Sequence, residues 1–321
     1  MSFLNVFLLV LGMALLIKGA DFFVDGSSRI AKAMKIPPLI IGLTLVSMGT
    51  SAPEASVSIN GAITGLNDIA IGNVVGSNIF NTLFILGVSA TIIPLFISKD
   101  MKRYDIPIMI AVYLVLLLFS FVISPFIIEL FESILLIVLF VGYMAFLIVR
   151  AKKTAKLEPM QEEKEEKKRP LWLSIIFTVV GLAGVIFGGD LVVNNASVIA
   201  QALGMSESLV GLTIVAVGTS LPELVTSVVA SIKKENDIAV GNVIGSNIFN
   251  VIFILGVSST INNLTLTMDG MLDMLVMLGS GMIIFFISLF SKKMTRWQGI
   301  VTLLLYVGYL AYIIIRNYMV I

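Results

Sequence analysis

Apolar runs of membrane-spanning length, separated by short polar breaks, cover nearly the whole chain. A spanning helix needs roughly 20 apolar residues. Five such segments, at about 3–24, 36–63, 68–97, 104–124 and 126–150, precede a polar tract at 151–170. Five more follow, at about 171–193, 205–232, 237–262, 270–290 and 296–317. The pattern predicts an all-α membrane protein of ten transmembrane helices. Charge in the breaks supports this count. Of the 21 basic residues, 20 fall in alternate breaks, and only Arg316 falls on the other side. Under the positive-inside rule this places the 151–170 linker in the cytoplasm and both termini outside, in a multi-pass cell-membrane protein. Five helices per half is an odd number, so the second half enters the membrane from the opposite side. The expected organisation is a first five-helix repeat at 1–150, a cytoplasmic charged linker at 151–170, and an inverted second repeat at 171–321.

Composition agrees. The chain is 58% hydrophobic and 13% charged, with a net charge of +1, too little charge for a soluble protein of 321 residues. No basic patch suits nucleic acid, and no protein partner is implied; the expected surroundings are the lipid bilayer. With no Cys and no His, thiolate and imidazole metal sites are excluded, and any proton chemistry falls to carboxylates. The apolar start at Phe3 follows no basic residue and reads as the first transmembrane helix rather than a secretory signal. No cofactor is expected.

The chain also repeats a motif. Gly49-Thr-Ser-Ala-Pro-Glu54 returns as Gly218-Thr-Ser-Leu-Pro-Glu223, at an offset of 169 residues. Asn67 to Asn81 returns at the same offset as Asn236 to Asn250, differing only at Ile71/Val240 and Val75/Ile244. A glutamate inside a membrane segment is expensive, so a functional role is its default reading. Pro53 lacks an N–H and is expected to leave the Gly49 carbonyl without its helical partner; Pro222 acts likewise on Gly218. Freed carbonyls at membrane depth need a partner, and a cation supplies one. Thr50, Ser51 and Glu54 can share one helix face, as can Ser77 and Asn81 on the next helix. Thr219, Ser220, Glu223, Ser246 and Asn250 repeat the set. These hard oxygen ligands suit Ca²⁺ or Na⁺.

Blander readings apply elsewhere. Gly72, Gly76, Gly241 and Gly245 suit close helix packing. Asp68 and Asp237 read as helix N-caps. Asp21 and Asp190, near helix ends, read as structural or mouth-lining, and Asn73 and Asn242 stay open between brace and ligand. The linker reads as a solvated tract too short for a sensor domain.

Gly-Thr-Ser-x-Pro-Glu followed by Gly-Asn-x-x-Gly-Ser-Asn-x-x-Asn, present twice, resembles the α-repeats of the Ca²⁺/cation antiporter superfamily. Within it the chain is similar to prokaryotic sodium/calcium exchangers. The resemblance implies Glu54 and Glu223 as central ligands, with Thr50, Ser51, Ser77, Thr219, Ser220 and Ser246 around them and backbone carbonyls near Ser47 and Ala216 contributing. It also implies a sliding gate formed by the first and sixth helices. Many sodium/calcium exchangers carry Asp where this chain has Asn250, so the site here holds only two carboxylates, which argues against K⁺ co-transport.

The expected function is alternating-access exchange of Ca²⁺ for Na⁺ at the midplane. Two ionised glutamates are neutralised by one Ca²⁺ or two Na⁺; a third Na⁺ leaves +1 and makes exchange voltage-driven, at about 2.3 kcal/mol per charge per 100 mV. Neighbouring carboxylates titrate as a pair, so H⁺ competes, and Ca²⁺/H⁺ antiport is the alternative. A cation channel is less favoured, because no ring of glutamates or pore loop is evident. An enzyme is not expected, because no Ser–base, Cys or His pairing is present.

Overall fold

The computed structural model describes residues 3–157, 170–205 and 216–319, with backbone alone at 154–157, 216 and 317–319. Its first half contains α1 (Phe3–Met34), α2 (Pro38–Thr50), α3 (Ala52–Ile63), α4 (Asn67–Ile92), α5 (Met101–Ile123) and α6 (Leu130–Leu157). The second contains α7 (Leu171–Ala202), a single turn at Ala216–Gly218, α8 (Leu221–Ile232), α9 (Asn236–Ile261), α10 (Met268–Phe290) and α11 (Arg296–Met319).

Among the described residues, eight helices (α1, α4, α5, α6, α7, α9, α10 and α11) are long and apolar enough to cross a membrane. The two predicted segments outside this count are those carrying the glutamates. The segment at 36–63 is broken into α2 and α3, each too short to span alone. Ser51 leaves the helical region at the break, with φ −79° and ψ 8°, and Pro53 follows within the first turn of α3. In the other segment, at 205–232, residues 206–215 lie outside the described residues, as do 158–169 of the linker. Residues 151–157, predicted as linker, continue α6 as helix.

The apolar runs underestimate α1 and α7. Each is a 32-residue helix, about 48 Å long. They pack against each other at backbone contact. A Cβ on Gly19 would lie 2.6 Å from Val185 N, and one on Gly188 would lie 2.5 Å from Leu16 N. Glycine is required at both positions. Of the four glycines expected to serve close packing, Gly241 and Gly245 do so, a Cβ on Gly245 lying 2.7 Å from Ser47 Oγ and 2.8 Å from Leu43 Cα, whereas Gly72 and Gly76 face open space with nothing within 4 Å.

The core runs through α4 and α9. The most apolar stretch of α9 is 94% buried and that of α4 72%, against 22% for α1, α6 and α11. Large apolar side chains such as Phe7, Leu139, Phe187, Leu304 and Phe290 face outward. This is the arrangement of a protein whose solvent is lipid.

The all-α expectation is corrected in one detail. Four two-residue strands pair the chain's halves: β1 (Leu95–Phe96) with β4 (Lys293–Met294), and β2 (Ile127–Ile128) with β3 (Leu264–Thr265). Both pairs are antiparallel, with Leu95 opposite Met294 and Ile128 opposite Leu264. Two arginines close the helix ends in matching ways. Arg150 on α6 reaches Asp105 at 2.6 Å and Asp100 at 3.0 Å. Arg316 on α11 reaches Asp273 at 2.9 Å and Asp269 at 3.5 Å.

Candidate functional site

The repeated motifs meet in the centre of the molecule. Ser51 precedes α3 and Ser220 precedes α8, each followed by a helical first turn that holds Pro and Glu. Ser-x-x-Glu at a helix start is the sequence of a capping box, in which the serine hydroxyl would accept from its own helix. Neither serine makes that local bond. Instead, Ser51 Oγ donates to Glu223 Oε1 at 2.8 Å, and Ser220 Oγ donates to Glu54 Oε1 at 2.8 Å. Each break therefore serves the other half's glutamate.

The flanking residues complete two matching clusters. Ser246 Oγ lies 2.9 Å from Ser51 Oγ and 3.5 Å from Glu223 Oε1. Ser77 Oγ lies 3.1 Å from Ser220 Oγ. Both glutamates, Ser51, Ser220 and Ser246 are fully buried, and Ser77 nearly so. No ion pair among the described residues involves Glu54 or Glu223.

The threonines turn to other partners. Thr50 Oγ1 donates to Asn242 Oδ1 at 3.0 Å, and Thr219 Oγ1 to Asn73 Oδ1 at 3.3 Å. Asn73 and Asn242, left open by the sequence, are braces. Asn73 Nδ2 donates to the Glu54 carbonyl at 3.0 Å and to Ser58 Oγ at 2.9 Å. Asn242 Nδ2 donates to the Glu223 carbonyl at 3.4 Å and to Ser227 Oγ at 2.9 Å. They stitch α4 to the glutamate helix α3, and α9 to α8.

The expectation of a free Gly49 carbonyl is not met. Backbone N–H groups at the break cap both Gly49 and Ser47 carbonyls. The Ser47 carbonyl also lies 3.3 Å from Thr50 Oγ1 and 3.4 Å from Ser246 Oγ. Ala216 opens the turn before the second break, and its side chain lies outside the described residues. The N-cap expectation for Asp68 and Asp237 is also corrected. Both lie in the first turn, with Leu66 and Glu235 at the cap positions. There a negative charge still favours the helix dipole.

Asn81 and Asn250 lie at the starts of π-helical stretches at Phe80–Ile85, where Asn81 is second, and Asn250–Leu255, where Asn250 is first, a wide turn often found at functional sites. Their amide nitrogens are used: Asn81 Nδ2 donates to Asn247 Oδ1 at 3.2 Å, and Asn250 Nδ2 to Asn78 Oδ1 at 3.0 Å. Their oxygens are not. Asn81 Oδ1, Asn250 Oδ1, Glu54 Oε2 and Glu223 Oε2 are all buried without a hydrogen-bond partner. Four buried acceptors without a protein donor are costly unless a cation or its water meets them. Sequence reasoning missed Asn78, Asn247 and Thr82. Their signal was present, since Asn78 and Asn247 lie inside the repeated motif.

This helical membrane framework, with hydroxyl-tethered carboxyls at its centre, has the character of a multi-pass ion transporter. The sequence model of the sodium/calcium exchanger protein family matches residues 4–149 and 173–315, and the chain belongs to that family. It is a calcium/cation antiporter by family, and its named relatives are transporters. It is 37% identical over 318 residues to a putative antiporter, CaxA, of Alkalimonas amylolytica, covering 95% of this chain and 97% of that one. It is 33% identical over 340 residues to the sodium/calcium exchanger MaX1 of Methanosarcina acetivorans, covering 95% and 97%. It superposes on the sodium-calcium exchanger NCX_Mj, studied with Na⁺ and Ca²⁺, with a TM-score of 0.84 and 32% identity, covering 97% of this chain and 99% of that one.

Proposed function

We propose that the protein exchanges Ca²⁺ for Na⁺ across the cell membrane, with the ions bound between Glu54 and Glu223. The observation that carries this reading is the pair of buried glutamates, each with one oxygen held by the other half's serine and one unpartnered. Ser51, Ser77, Ser220 and Ser246 supply further oxygens, with Asn81 and Asn250. Thr50, Thr219 and the carbonyls of Ser47 and Ala216 shape the breaks. Ca²⁺ and Na⁺ compete for overlapping oxygens, because one Ca²⁺ or two Na⁺ neutralise the same two carboxylates. A bare doubly negative site is costly to enclose, so access switches only when it is loaded.

The chain crosses the membrane ten times as two inverted repeats, the two broken segments making the additional crossings. Its termini lie outside and its linker in the cytoplasm. Support comes from the alternating basic breaks and the constant repeat offset. The tight backbone contact of α1 with α7 suits a two-helix gate that slides as one body to give alternating access.

Ca²⁺ uptake into proteoliposomes tests the coupling, with internal Na⁺ against internal K⁺, each with and without a pH gradient. Uptake requiring internal Na⁺ is expected. The second reading, Ca²⁺/H⁺ antiport, draws on the lack of any Lys or Arg partner for the two carboxyls among the described residues. Uptake driven by the proton gradient alone would establish it and discard Na⁺ coupling.

A further inference from the structure

Two hydrogen-bond chains behind the glutamates have a fixed direction. One starts at the Asn78 backbone carbonyl, which can only accept. Thr82 Oγ1 donates to it at 2.7 Å, so that hydroxyl proton is committed and Thr82 can only accept from Asn247 Nδ2, at 2.8 Å. The Asn247 amide is thereby oriented, and its Oδ1 accepts from Asn81 Nδ2 at 3.2 Å. The other chain starts at the Asn247 backbone carbonyl. Asn78 Nδ2 donates to it at 3.0 Å, which turns Asn78 Oδ1 to accept from Asn250 Nδ2 at 3.0 Å. Every member is fully buried, where an unmade hydrogen bond is costly. Each chain ends on an unpartnered amide oxygen, Asn81 Oδ1 in one case and Asn250 Oδ1 in the other.

We infer that Thr82, Asn247 and Asn78 are positioning residues that hold Asn81 and Asn250 oxygen-first toward the transported cation. The inference rests on the reading of Asn81 and Asn250 as ligands. An amide's two ends have nearly the same shape and opposite polarity. Flipped, each asparagine would present an NH₂ group to the cation and repel it. Aspartate needs no such steering, because either end of a carboxylate is an oxygen. A site that offers asparagines to a cation therefore needs a polarised support.

Thr82→Val separates this from simple packing. It removes the hydroxyl at nearly constant shape, and the matching position in the second half is naturally Val251. Equilibrium binding of radiolabelled Ca²⁺ to the purified full chain is the readout, with monodispersity in detergent as the folding control. The expected result is a loss of about tenfold in Ca²⁺ affinity for Thr82→Val, as for other groups that orient a ligand. Thr82→Ser should bind like the parent. In an Asn81→Asp background, Thr82→Val should cost nothing further. Thr82→Ala serves if the valine variant does not fold. Parent-like affinity in Thr82→Val, equal losses in the serine and valine variants, or a loss that persists beside Asn81→Asp would each overturn the inference. Unchanged affinity in Asn81→Ala would remove the ligand reading itself, and this inference with it. Weakened binding in Asn81→Ala beside parent-like binding in Thr82→Val would remove the orientation alone.

Discussion

In the first half of the chain, Ser51 and Glu54 sit at the break before α3; in the second, Ser220 and Glu223 occupy the same places before α8. The exchanged bonds are the same length, 2.8 Å in each direction. Away from the centre the halves part company. Lys233, after α8, pairs with Asp21 of α1 at 2.7 Å, and Ser28 of α1 donates to Glu235 at 2.6 Å. The matching residues after α3 are Thr64 and Leu66. Asp190, the counterpart of Asp21 on α7, has no ion pair among the described residues, and Ser197 Oγ, the counterpart of Ser28, has no partner among them. So, among the described residues, α1 is tethered at one end by a charge pair that α7 does not make. The difference follows the basic breaks: Lys233 and Lys234 lie on the side read as cytoplasmic. On the proposed alternating-access reading the centre offers the same oxygens from either side, while the two faces of a membrane are not equivalent.

The strongest way to break the central equivalence is Glu54→Gln against Glu223→Gln. Each is expected to lower transport by roughly 100-fold or more while folding is kept, because each removes half of the site's charge. Ca²⁺ flux in proteoliposomes measures it, and near-normal exchange in both variants would sink the site assignment. Ser51→Ala and Ser220→Ala test the same equivalence more gently. Each removes a hydrogen bond to a carboxylate and should weaken Ca²⁺ affinity about tenfold, and to the same extent in the two halves. Unequal losses would show that the ion leans on one repeat.

The peripheral difference is tested by Lys233→Gln. The pair is partly exposed, so it contributes at most about 1 kcal/mol. Because the chain has no Cys, a single reporter at Ser27 on α1 can be labelled without background. Labelling should quicken about twofold to fivefold in Lys233→Gln, with a smaller difference from the parent at high salt. Asp190→Asn should leave it unchanged. The smallest effect concerns the turns. Lys35 and Lys234 adopt left-handed φ of 55° and 63°, while their counterparts Gly204 and Gly65 have 95° and 76°. A non-glycine residue there costs about 1–2 kcal/mol, partly offset by the chain entropy that glycine loses on folding. Lys234→Gly should raise the unfolding temperature by about one to two degrees in a detergent melt. Gly65→Ala should lower it by a similar amount, since only the contact with Asn262 Nδ2 at 4.0 Å lies near the added Cβ.

Much of this was legible in the chain. Apolar runs and alternating basic breaks outlined the membrane helices, and the repeated Glu motifs marked the residues that meet at the centre. The lengths of α1 and α7 were not legible. Their ends leave the apolar pattern, and at the end of α1 Gly26 packs directly on Ser174 and Thr178 of α7. The strand pairs were equally hidden, because two residues carry no periodicity. Asn73 and Asn242 could not be assigned, because a buried asparagine has the same sequence signature as brace or as ligand.

By itself, the sequence determined the solvent, the positions of the breaks and the kind of oxygen available at each, because hydrophobicity, proline and the number of carboxylates are local properties. Only the tertiary structure decided which partner each oxygen takes. Ser51 could have capped its own helix and instead holds Glu223, and the Asn81 amide points as it does because Thr82 and Asn247 leave it one orientation. Away from water each donor must find an acceptor, and for Ser51, Ser220, Asn81 and Asn250 that acceptor comes from the other half of the chain.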